Sequence, residues 1–331
     1  MTVNGTLRVA ALALAFSSCK SSGEPTGTLP PPPGIITPPP SAGHALVYHT
    51  QLRAVILVNA GLGGRSSPAS TARTVLWRWN GQAWSILDSL GPPVRNLGGV
   101  AYDLHRDRLV LYGGSYSADL VYDETWEWSQ ASGWSRRAVT GPGKRDHTDM
   151  VYDAERQRVV LFGGQSVPGT LATGTWTWDG TAWQESPSGP VASRIHHTMV
   201  YDALGRRTLL FGGVTSGGDA GDTWAWNGSS WAPAAPSTIA RTHARLGVTA
   251  DGVILFGGFQ SASATVARLV NGSWSAQVSG SDPGGRYLTA LAYDPDRQVT
   301  VLFGGGDVSS DRLLSDTWEY STAEGWRRVS P

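Results

Sequence analysis

The segment RVVLFGGQSVPGTLATGTWTWDGTAW, residues 158 to 183, decides the fold. It joins an apolar run to a double glycine, a polar stretch, alternating tryptophans and an Asp-Gly pair. Continuous apolar runs are typical of strands covered on both faces, and the alternation of Trp176 and Trp178 places both indoles on one face of a strand. Asp179-Gly180 supplies the positive φ angles of a two-residue hairpin turn. The segment therefore predicts a strand, a variable loop, a second strand, a tight turn and the start of a third strand.

The same order of residues returns along the chain at a nearly constant interval. Five units open on an arginine and have a second apolar run that ends in Gly-Gly, and in four of these five the first apolar segment ends in Tyr-Asp. A variable loop and spaced tryptophans complete the unit. The opening arginines are Arg95, Arg145, Arg194, Arg241 and Arg286, spaced by 50, 49, 47 and 45 residues. Two hairpins per unit give four strands, labelled a, b, c and d, and periodicity of this length indicates a repeat fold.

These units resemble kelch repeats, a family in which a Gly-Gly pair follows an apolar strand and precedes spaced aromatic residues. The resemblance covers residues 44–331 and implies an all-β fold, a six-bladed kelch-type β-propeller with four antiparallel strands per blade. Two units depart from the pattern: Asn59-Ala60 occupy the Gly-Gly position of the first, and Arg268 and Val270 replace the paired tryptophans of the fifth. The predicted blades are residues 44–94, 95–144, 145–193, 194–240, 241–285 and 286–331.

Composition supports an all-β chain and excludes some partners. The 331 residues include 42 glycines, 20 prolines and 15 tryptophans but only 3 methionines, which suits short strands joined by tight turns. The formal net charge is zero and no long basic run occurs, so nucleic acid is not an expected partner. A single cysteine excludes an intrachain disulfide. We expect a monomer.

The first residues have the layout of an export signal. Residues 1–18 place Arg8 before an apolar run and end in two serines, ahead of Cys19. The quartet FSSC resembles the bacterial lipoprotein signal and implies a lipid on Cys19, whereas an ordinary secretory signal with an incidental cysteine is the alternative. Residues 19–43, rich in Ser, Gly and Pro, predict an extended linker. We therefore expect an exported protein, anchored by lipid to the bacterial cell envelope, and Lys20 favours the outer membrane by resemblance.

The number of strands predicts how the ring closes. Each unit contains its own four strands, so the sixth blade needs no strand from the N-terminus and side-chain packing between blades 1 and 6 would close the ring. The alternative is that Ile35-Ile36-Thr37 adds an edge strand beside Arg327–Ser330. The prolines on both sides of that tripeptide permit pairing only at an edge.

The candidate ligand-binding residues lie where consecutive units meet. In a propeller the d-to-a and b-to-c loops emerge on the same face, so the opening arginines would ring one mouth of the channel, and a ring of guanidinium groups could hold a carboxylate or phosphate. Three histidines follow two residues later. The candidate set is Arg95, Arg145, His147, Arg194, His196, Arg241, His243 and Arg286. The structural alternative, which a repeat-wide residue favours, pairs each arginine with an acid such as Asp123, Asp222 or Asp316. Blade 1 has no arginine at this position.

Other motifs point to packing or are absent. All fifteen tryptophans fall into three repeat positions, which makes them blade-packing residues and leaves no surplus platform for stacking a sugar. No HExxH, CxxC pair or calcium loop occurs, so we expect neither metal nor cofactor. One sequence offers no way to select a catalytic Ser-His-Asp or Cys-His set.

The variable b-to-c loops are where we expect function. Their uneven length and polar composition suit surface loops on a rigid frame, as in residues 115–124, 165–174, 214–221 and 306–315. We interpret the chain as a non-catalytic recognition scaffold that binds a protein or a glycan at the cell surface. Two alternatives stay open: a sugar-modifying enzyme, epimerase-like or mutarotase-like, that uses the arginines and histidines at the channel mouth, and a purely structural envelope protein.

Overall fold

The computed structural model describes residues 36–59, 72–137, 139–167, 170–187, 189–236, 240–259, 266–277 and 282–330. The predicted signal peptide, Cys19 and most of the linker lie outside these ranges. Within them every regular element is a β-strand; the strands number thirty and pair antiparallel. A membrane-spanning helix is therefore not found in the described part of the chain.

Six sheets each contain strands a to d in chain order. Blade 1 consists of β1 (Ala45–His49), β2 (Ala54–Asn59), β3 (Val75–Trp79) and β4 (Trp84–Asp88). Blade 2 consists of β5 (Gly99–Asp103), β6 (Arg108–Tyr112), β9 (Thr125–Ser129) and β10 (Gly133–Arg137), with the small hairpin β7 (Ser115–Ser117) and β8 (Leu120–Val121) between b and c. Blade 3 consists of β11 (Asp149–Asp153), β12 (Arg158–Phe162), β15 (Thr175–Trp178) and β16 (Trp183–Ser186), with the hairpin β13 (Gln165–Val167) and β14 (Thr170–Leu171).

The second half of the chain repeats this plan with longer hairpins. Blade 4 consists of β18 (Thr198–Asp202), β19 (Arg207–Thr215), β20 (Gly218–Trp226) and β21 (Trp231–Ala235), preceded by β17 (Arg194–Ile195). Blade 5 consists of β22 (Arg245–Thr249), β23 (Gly252–Phe256), β24 (Val266–Val270) and β25 (Ser273–Gln277). Blade 6 consists of β27 (Ala290–Asp294), β28 (Val299–Asp307), β29 (Leu313–Ser321) and β30 (Gly325–Ser330), preceded by β26 (Arg286–Tyr287). The two units with irregular sequence thus form complete four-stranded blades.

The blades form a closed six-bladed ring, as the repeat predicted. Each a strand contacts the a strands of both neighbouring blades, and β1 contacts both β5 and β27. Six apolar clusters fill the structure, one between each pair of adjacent blades. The b strands supply the centre of these clusters because their apolar runs are buried on both faces; in β12 every residue after Arg158 is buried.

The ring closes without exchanging a strand. In the described chain β30 pairs with β29 alone, and Ile36 and Thr37 lie outside the strands, so the edge-strand alternative is wrong for these two residues. Ile35 falls outside the described residues. Instead the cluster between blades 6 and 1 packs Trp77, Trp79 and Trp84 against Val301 and Phe303.

A short N-terminal segment also joins the two ends of the ring. The Ser41 N–H donates to the Leu314 carbonyl at 3.1 Å, and the Gly305 N–H donates to the Ser41 carbonyl at 2.9 Å. Gly43 bonds onward to blade 2, because its carbonyl accepts the Leu97 N–H at 3.0 Å. Residues 41–43 therefore connect the last blade to the second.

The last tryptophan of a blade fastens that blade to the one before it. In four blades its indole Nε1–H donates to the threonine that directly precedes the first tryptophan of strand c in the preceding blade. The pairs are Trp84 with Thr317, Trp183 with Thr125, Trp231 with Thr175, and Trp274 with Thr223, at 2.8 to 2.9 Å. The threonine of the Thr-Trp pair in strand c thus accepts a hydrogen bond from the next blade, while the tryptophan contributes apolar packing.

Candidate functional site

The five opening arginines lie inside the blades. Each donates Nη1–H to the carbonyl of the first glycine of its own Gly-Gly pair, at 2.9 to 3.3 Å. Four of them are almost fully buried, and Arg241 is half-buried. The glycines have positive φ; they follow strand b in blades 2, 3 and 5 and interrupt its register in blades 4 and 6, so the carbonyl between them leaves the sheet ladder and needs another donor. The arginine supplies it and ties the d-to-a loop to strand b.

In blades 2, 4 and 6 a carboxylate completes this arrangement. Arg194 binds both carboxylate oxygens of Asp222, at 2.6 and 3.0 Å, and the Trp224 indole donates to the same group. Blade 6 repeats it with Arg286, Asp316 and Trp318. Blade 2 uses Arg95 and Trp126 with Glu124, where the sequence had suggested Asp123.

In blades 4 and 2 the arginine and tryptophan lower the pKa of the acid they bind. Burial opposes the ionisation of Asp222, but the hydrogen bonds from Arg194 and Trp224 outweigh it and keep the pKa of Asp222 below its ordinary value. The same balance of burial against Trp126 and Arg95 lowers the pKa of Glu124. Three of the predicted ligand-binding arginines thus already have a carboxylate ligand within the blade.

Blade 3 lacks the acid. Gly174 stands at its position, two residues before Trp176, and Arg145 instead donates Nη2–H to the Pro142 carbonyl. Burial lowers the pKa of the Arg145 guanidinium. Burial likewise lowers the pKa of Arg241 in blade 5.

The channel mouth is formed by six residues in the left-handed region, one directly before each a-strand segment. They are Gly43, Leu97, His147, His196, His243 and Leu288, with φ between 49° and 72°. The backbone N–H of one residue donates to the carbonyl of its neighbour in four of the six consecutive pairs, at 3.0 to 3.1 Å. Histidine visits this region more readily than most residues, whereas leucine seldom does, so tertiary structure imposes the conformation at Leu97 and Leu288. We call these six residues the mouth ring.

The structure brings the three predicted histidines together on this ring. The rings of His196 and His243 stack with centroids 3.6 Å apart, and His147 meets His196 edge-on at 4.4 Å. The contacts continue through Phe259, 4.9 Å from His243, to Tyr287, which stacks on Phe259 at 4.3 Å. Of these five side chains, Tyr287 is buried and the other four are partly exposed. We call these five side chains the aromatic strip.

Two imidazoles of the strip, those of His196 and His243, have lowered pKa values. Burial, assisted by the charges of His147 and Arg245, lowers the pKa of His243 to about 3. Burial and the neighbouring histidines lower the pKa of His196 well below its ordinary value. The Nδ1 atom of His147 lies 2.7 Å from the Asp146 carboxylate. Within the described residues no group of three or more His, Cys, Asp or Glu side chains is arranged to hold a metal ion.

Below the mouth ring an ion pair joins the a strands of two blades. Arg245 on β22 donates Nη1–H to Asp149 on β11 at 2.9 Å, so the pair joins blades 3 and 5. Asp149 also accepts the backbone N–H of Met199 from blade 4, and burial raises its pKa. A cavity of about 30 Å³ remains between this pair and the mouth ring.

The variable loops surround the same mouth. Asn96 bridges to Ser115 and Asp146 to Gln165, while β17 and β26 pair with the extended b strands β19 and β28. Each of these d-to-a segments is therefore joined to a b-to-c hairpin, which raises a rim around the aromatic strip. Sequence reasoning missed Arg245, Phe259 and Tyr287, because none recurs at its repeat position.

The opposite face, at the a-to-b turns, has charged groups that satisfy one another. Arg106 binds Asp103 at 2.6 Å and Glu127 at 2.7 Å, and the Trp178 indole of blade 3 donates to the same glutamate. Arg297, Asp294 and Glu319 repeat this arrangement in blade 6.

A cleft of about 680 Å³, larger than the cavity below the mouth ring, lies beside blade 2, where the charged groups of Arg136 and Glu124 are 3.4 Å apart.

These features define the class of the molecule: a six-bladed β-propeller whose loop-bearing face surrounds a partly exposed aromatic strip. Among solved structures it resembles that of the protein YjhT, with a TM-score of 0.69 and 14% sequence identity over 88% of this chain and 98% of that chain. At this identity the likeness shows the fold alone. No family model matches the chain, and no curated protein matches it in sequence.

Proposed function

We propose that this chain is a kelch-type propeller that serves as a non-catalytic recognition scaffold on the bacterial cell envelope. It binds a protein or a glycan through the loop-bearing face. The aromatic strip carries the proposal: five contiguous aromatic side chains at the channel mouth, four of them partly exposed, take no part in the repeated packing of the blades. Aromatic rings beside hydrogen-bonding groups are a common surface for such ligands.

The arginines support this role only indirectly. Their donors are engaged within the blades, so they stiffen the loops that carry the ligand-binding groups. The strip and the rim then provide the contacts, with Asp146 and Gln165 as polar groups beside His147. A rigid frame with variable loops is the usual arrangement of binding scaffolds.

The test is a glycan array, with cell-surface extracts crosslinked to the purified full chain as its protein counterpart. We expect a ligand whose binding falls at least tenfold in His196→Ala and Phe259→Ala. Leu204→Ala, exposed on the opposite face, is the matched control and keeps full affinity. Equal binding by all variants would overturn the assignment of the face, and no ligand in either screen would favour a purely structural envelope protein.

One observation favours the enzymatic alternative enough to test it. The Asp146 carboxylate, 2.7 Å from His147 Nδ1, would fix the tautomer that leaves Nε2 as a base, which is how a carboxylate orients a catalytic histidine. An epimerase-like or mutarotase-like activity would use that base on a sugar held at the strip. NMR of sugar anomers with and without the chain would show accelerated interconversion that His147→Gln abolishes; unchanged rates would exclude this role.

Export and anchoring belong to the same proposal. The FSSC quartet ahead of the Pro-rich linker supports lipid attachment at Cys19, and the outer membrane is the proposed location. Radiolabelled fatty acid fed to a bacterial host should label the chain, and Cys19→Ala should abolish the label. An unlabelled wild-type chain would overturn the anchor.

A further inference from the structure

The cleft beside blade 2 lies at the end of the blade from which the loops emerge. Its volume of about 680 Å³ is within the range of ligand-binding pockets. We call it the blade-2 cleft. It lies between Asp123 and Glu124 before strand c, Arg136 on strand d, and the d-to-a segment at Thr140, Gly141 and Gly143. None of these residues belongs to the aromatic strip or the mouth ring.

The sequence of the d-to-a segment explains why blade 2 has this cleft. Between blades 1 and 2, Pro93-Val94 precede the opening Arg95, and Val94 is buried. Between blades 2 and 3, the same two positions before the opening arginine are Gly143-Lys144, and both are exposed. A Cβ at Gly143 would have nothing within 4 Å. These two positions therefore bury no apolar side chain in blade 2, and the space beside them stays open.

Glu124 in the cleft contacts more cations than its charge balances. One carboxylate oxygen accepts from Arg95 at 3.0 Å and from the Trp126 indole at 2.9 Å, and the other oxygen lies 3.4 Å from Arg136 Nη2. Since Arg95 already balances the charge of Glu124, Arg136 leaves an excess positive charge here. The Arg136 side chain is 60% exposed, so its remaining N–H groups are open to a ligand.

A comparison with blade 6 shows what positions this guanidinium. Arg328 has the same place in the ladder between strands c and d as Arg136. The acid of blade 6 is Asp316, and Arg286 binds both of its oxygens, so no ion pair reaches Arg328 in the described chain. Glu124 is longer by one methylene and brings an oxygen to Arg136. The glutamate of blade 2 therefore holds an exposed guanidinium beside the cleft.

Backbone donors line the same cleft. The N–H groups of Thr140, Gly141 and Gly143 have no acceptor within the described residues. Asp123 is exposed and has neither a hydrogen bond nor an ion pair to any of these residues. A carboxylate ligand accepts from guanidinium and backbone N–H groups together. The cleft thus offers donors for one anion beside a carboxylate that accepts an N–H.

The outer edge of blade 2 provides a further surface for an extended chain. β10 pairs with β9 alone in the described chain, so its second edge is unpaired. Such an edge can pair with an extended peptide through main-chain hydrogen bonds. In blade 4 the equivalent strand has Pro233 opposite Trp224, where β10 has Arg136 opposite Trp126, and proline removes a main-chain donor. β10 contains no proline and keeps all of its donors.

We propose that the blade-2 cleft binds the C-terminal end of an extended peptide. Arg136 and the N–H groups of the d-to-a segment hold the terminal carboxylate, and Asp123 accepts a peptide N–H. A dianion such as sulfate fits less well, because it would place a second negative charge beside Asp123 and offers no N–H. The site shares no residue with the aromatic strip, so this inference goes beyond the recognition role and is independent of it.

The first experiment is an NMR titration of the purified full chain labelled with ¹⁵N-glycine. N-acetyl-trialanine, which ends in a free carboxylate, should shift the amide resonances of Gly141 and Gly143 in a saturable way. The same peptide with a C-terminal amide should bind about tenfold more weakly or worse, because it lacks the charge that pairs with Arg136. No saturable shift at these glycines, or equal binding of the two peptides, would overturn the proposal.

The second experiment uses a matched pair of variants. Arg136→Gln should weaken binding of N-acetyl-trialanine by about tenfold or more, whereas Arg328→Gln, at the same position in blade 6, should keep it within about twofold. Both side chains are exposed, so both variants should fold, which an unchanged Tm would verify. Equal binding by the two variants, or displacement of the peptide by sulfate at equal concentration, would count against the site. His196→Ala should bind the peptide normally, so a failure of the aromatic strip and a failure of this cleft are distinguishable.

Discussion

The Trp84 indole in blade 1 donates to the Thr317 hydroxyl in blade 6 at 2.9 Å. These are the first and last blades of the ring, so they do not follow one another along the chain. The same hydrogen bond joins three other pairs of adjacent blades. The interface that closes the ring is therefore stabilised by the same contact as those three interfaces. The bond between Trp84 and Thr317 lies beside the apolar cluster of blades 6 and 1. The ring is therefore closed by side chains and by residues 41–43.

Thr317→Val should lower the free energy of unfolding by about 1–3 kcal/mol, because it leaves a buried indole N–H without an acceptor. Thr125→Val, which removes the equivalent acceptor of Trp183, should cost a similar amount. Urea unfolding followed by tryptophan fluorescence measures both. Thr322→Val, at an exposed position, is the control and should leave stability unchanged. A value for Thr317→Val as small as the control's would show that the closing contact contributes nothing.

Arg194 has a carboxylate partner and Arg145 has none, so replacing them with alanine should lower the free energy of unfolding by different amounts. Arg194→Ala leaves Asp222 without its cation and should lower stability by about 3 kcal/mol, the low end for a broken buried pair because Asp222 is one-third exposed. Arg145→Ala leaves no carboxylate unpaired and should cost about 1 kcal/mol through its bonds to the Gly163 and Pro142 carbonyls. Chemical denaturation distinguishes the two. Loss of ligand binding with stability intact in both variants would instead make these arginines ligand-binding residues.

Sequence reasoning reached the fold because its signals are local and repeated. Gly-Gly, Tyr-Asp and the spaced tryptophans each recur at a fixed place in the unit, so strand order and blade number follow from counting. The repeat also indicated that arginines pair with acids near strand c, which holds for Asp222 and Asp316. In blade 2 the partner is Glu124 and not its neighbour Asp123, because Glu124 stands two residues before the first tryptophan of strand c, as Asp222 and Asp316 do.

The channel interior could not be predicted in this way. The left-handed conformation of the mouth ring is shared by glycine, leucine and histidine, so residue type does not reveal it. The pair of Asp149 and Arg245 joins residues 96 positions apart in non-adjacent blades, and no periodic pattern encodes such a contact. Phe259 contacts His243 of its own blade, and it reaches Tyr287 only because the ring brings blade 6 beside blade 5. These contacts arise from closure of the ring.

Gly180 in the c-to-d turn of blade 3 should tolerate alanine less well than a glycine with the same backbone. Its φ is +96°, and a Cβ there would lie 2.5 Å from the Arg106 guanidinium, which Asp103 and Glu127 hold in place. Gly218 has φ +104°, and a Cβ at that position would have nothing within 4 Å, so Gly218→Ala isolates the backbone cost of about 1–2 kcal/mol. Gly180→Ala should cost about 1 kcal/mol more, measured by thermal unfolding. Equal losses would show that Arg106 moves aside freely.

Acid should destabilise the propeller well above the range in which carboxylates titrate. Burial lowers the pKa of His44 to about 4 and that of His197 to about 3, so the folded chain keeps both neutral while the unfolded chain protonates them below about pH 6.5. Their stabilising effect is therefore complete above pH 6.5 and is lost as the pH falls toward 4 and 3. Each should account for about 2 kcal/mol of the decrease between pH 7 and pH 5.

This pH dependence is tested by measuring the free energy of unfolding in urea at pH 7 and at pH 5. His197→Phe should reduce the decrease by about 2 kcal/mol, whatever its own effect on stability at pH 7. His105→Gln, on an exposed turn, should leave the decrease unchanged. Asp149, whose pKa burial raises, titrates in the opposite sense but is present in every variant, so it cancels from the comparison. If His197→Phe retains the full decrease, the buried imidazole takes up its proton without unfolding, and the folded channel must admit water to it.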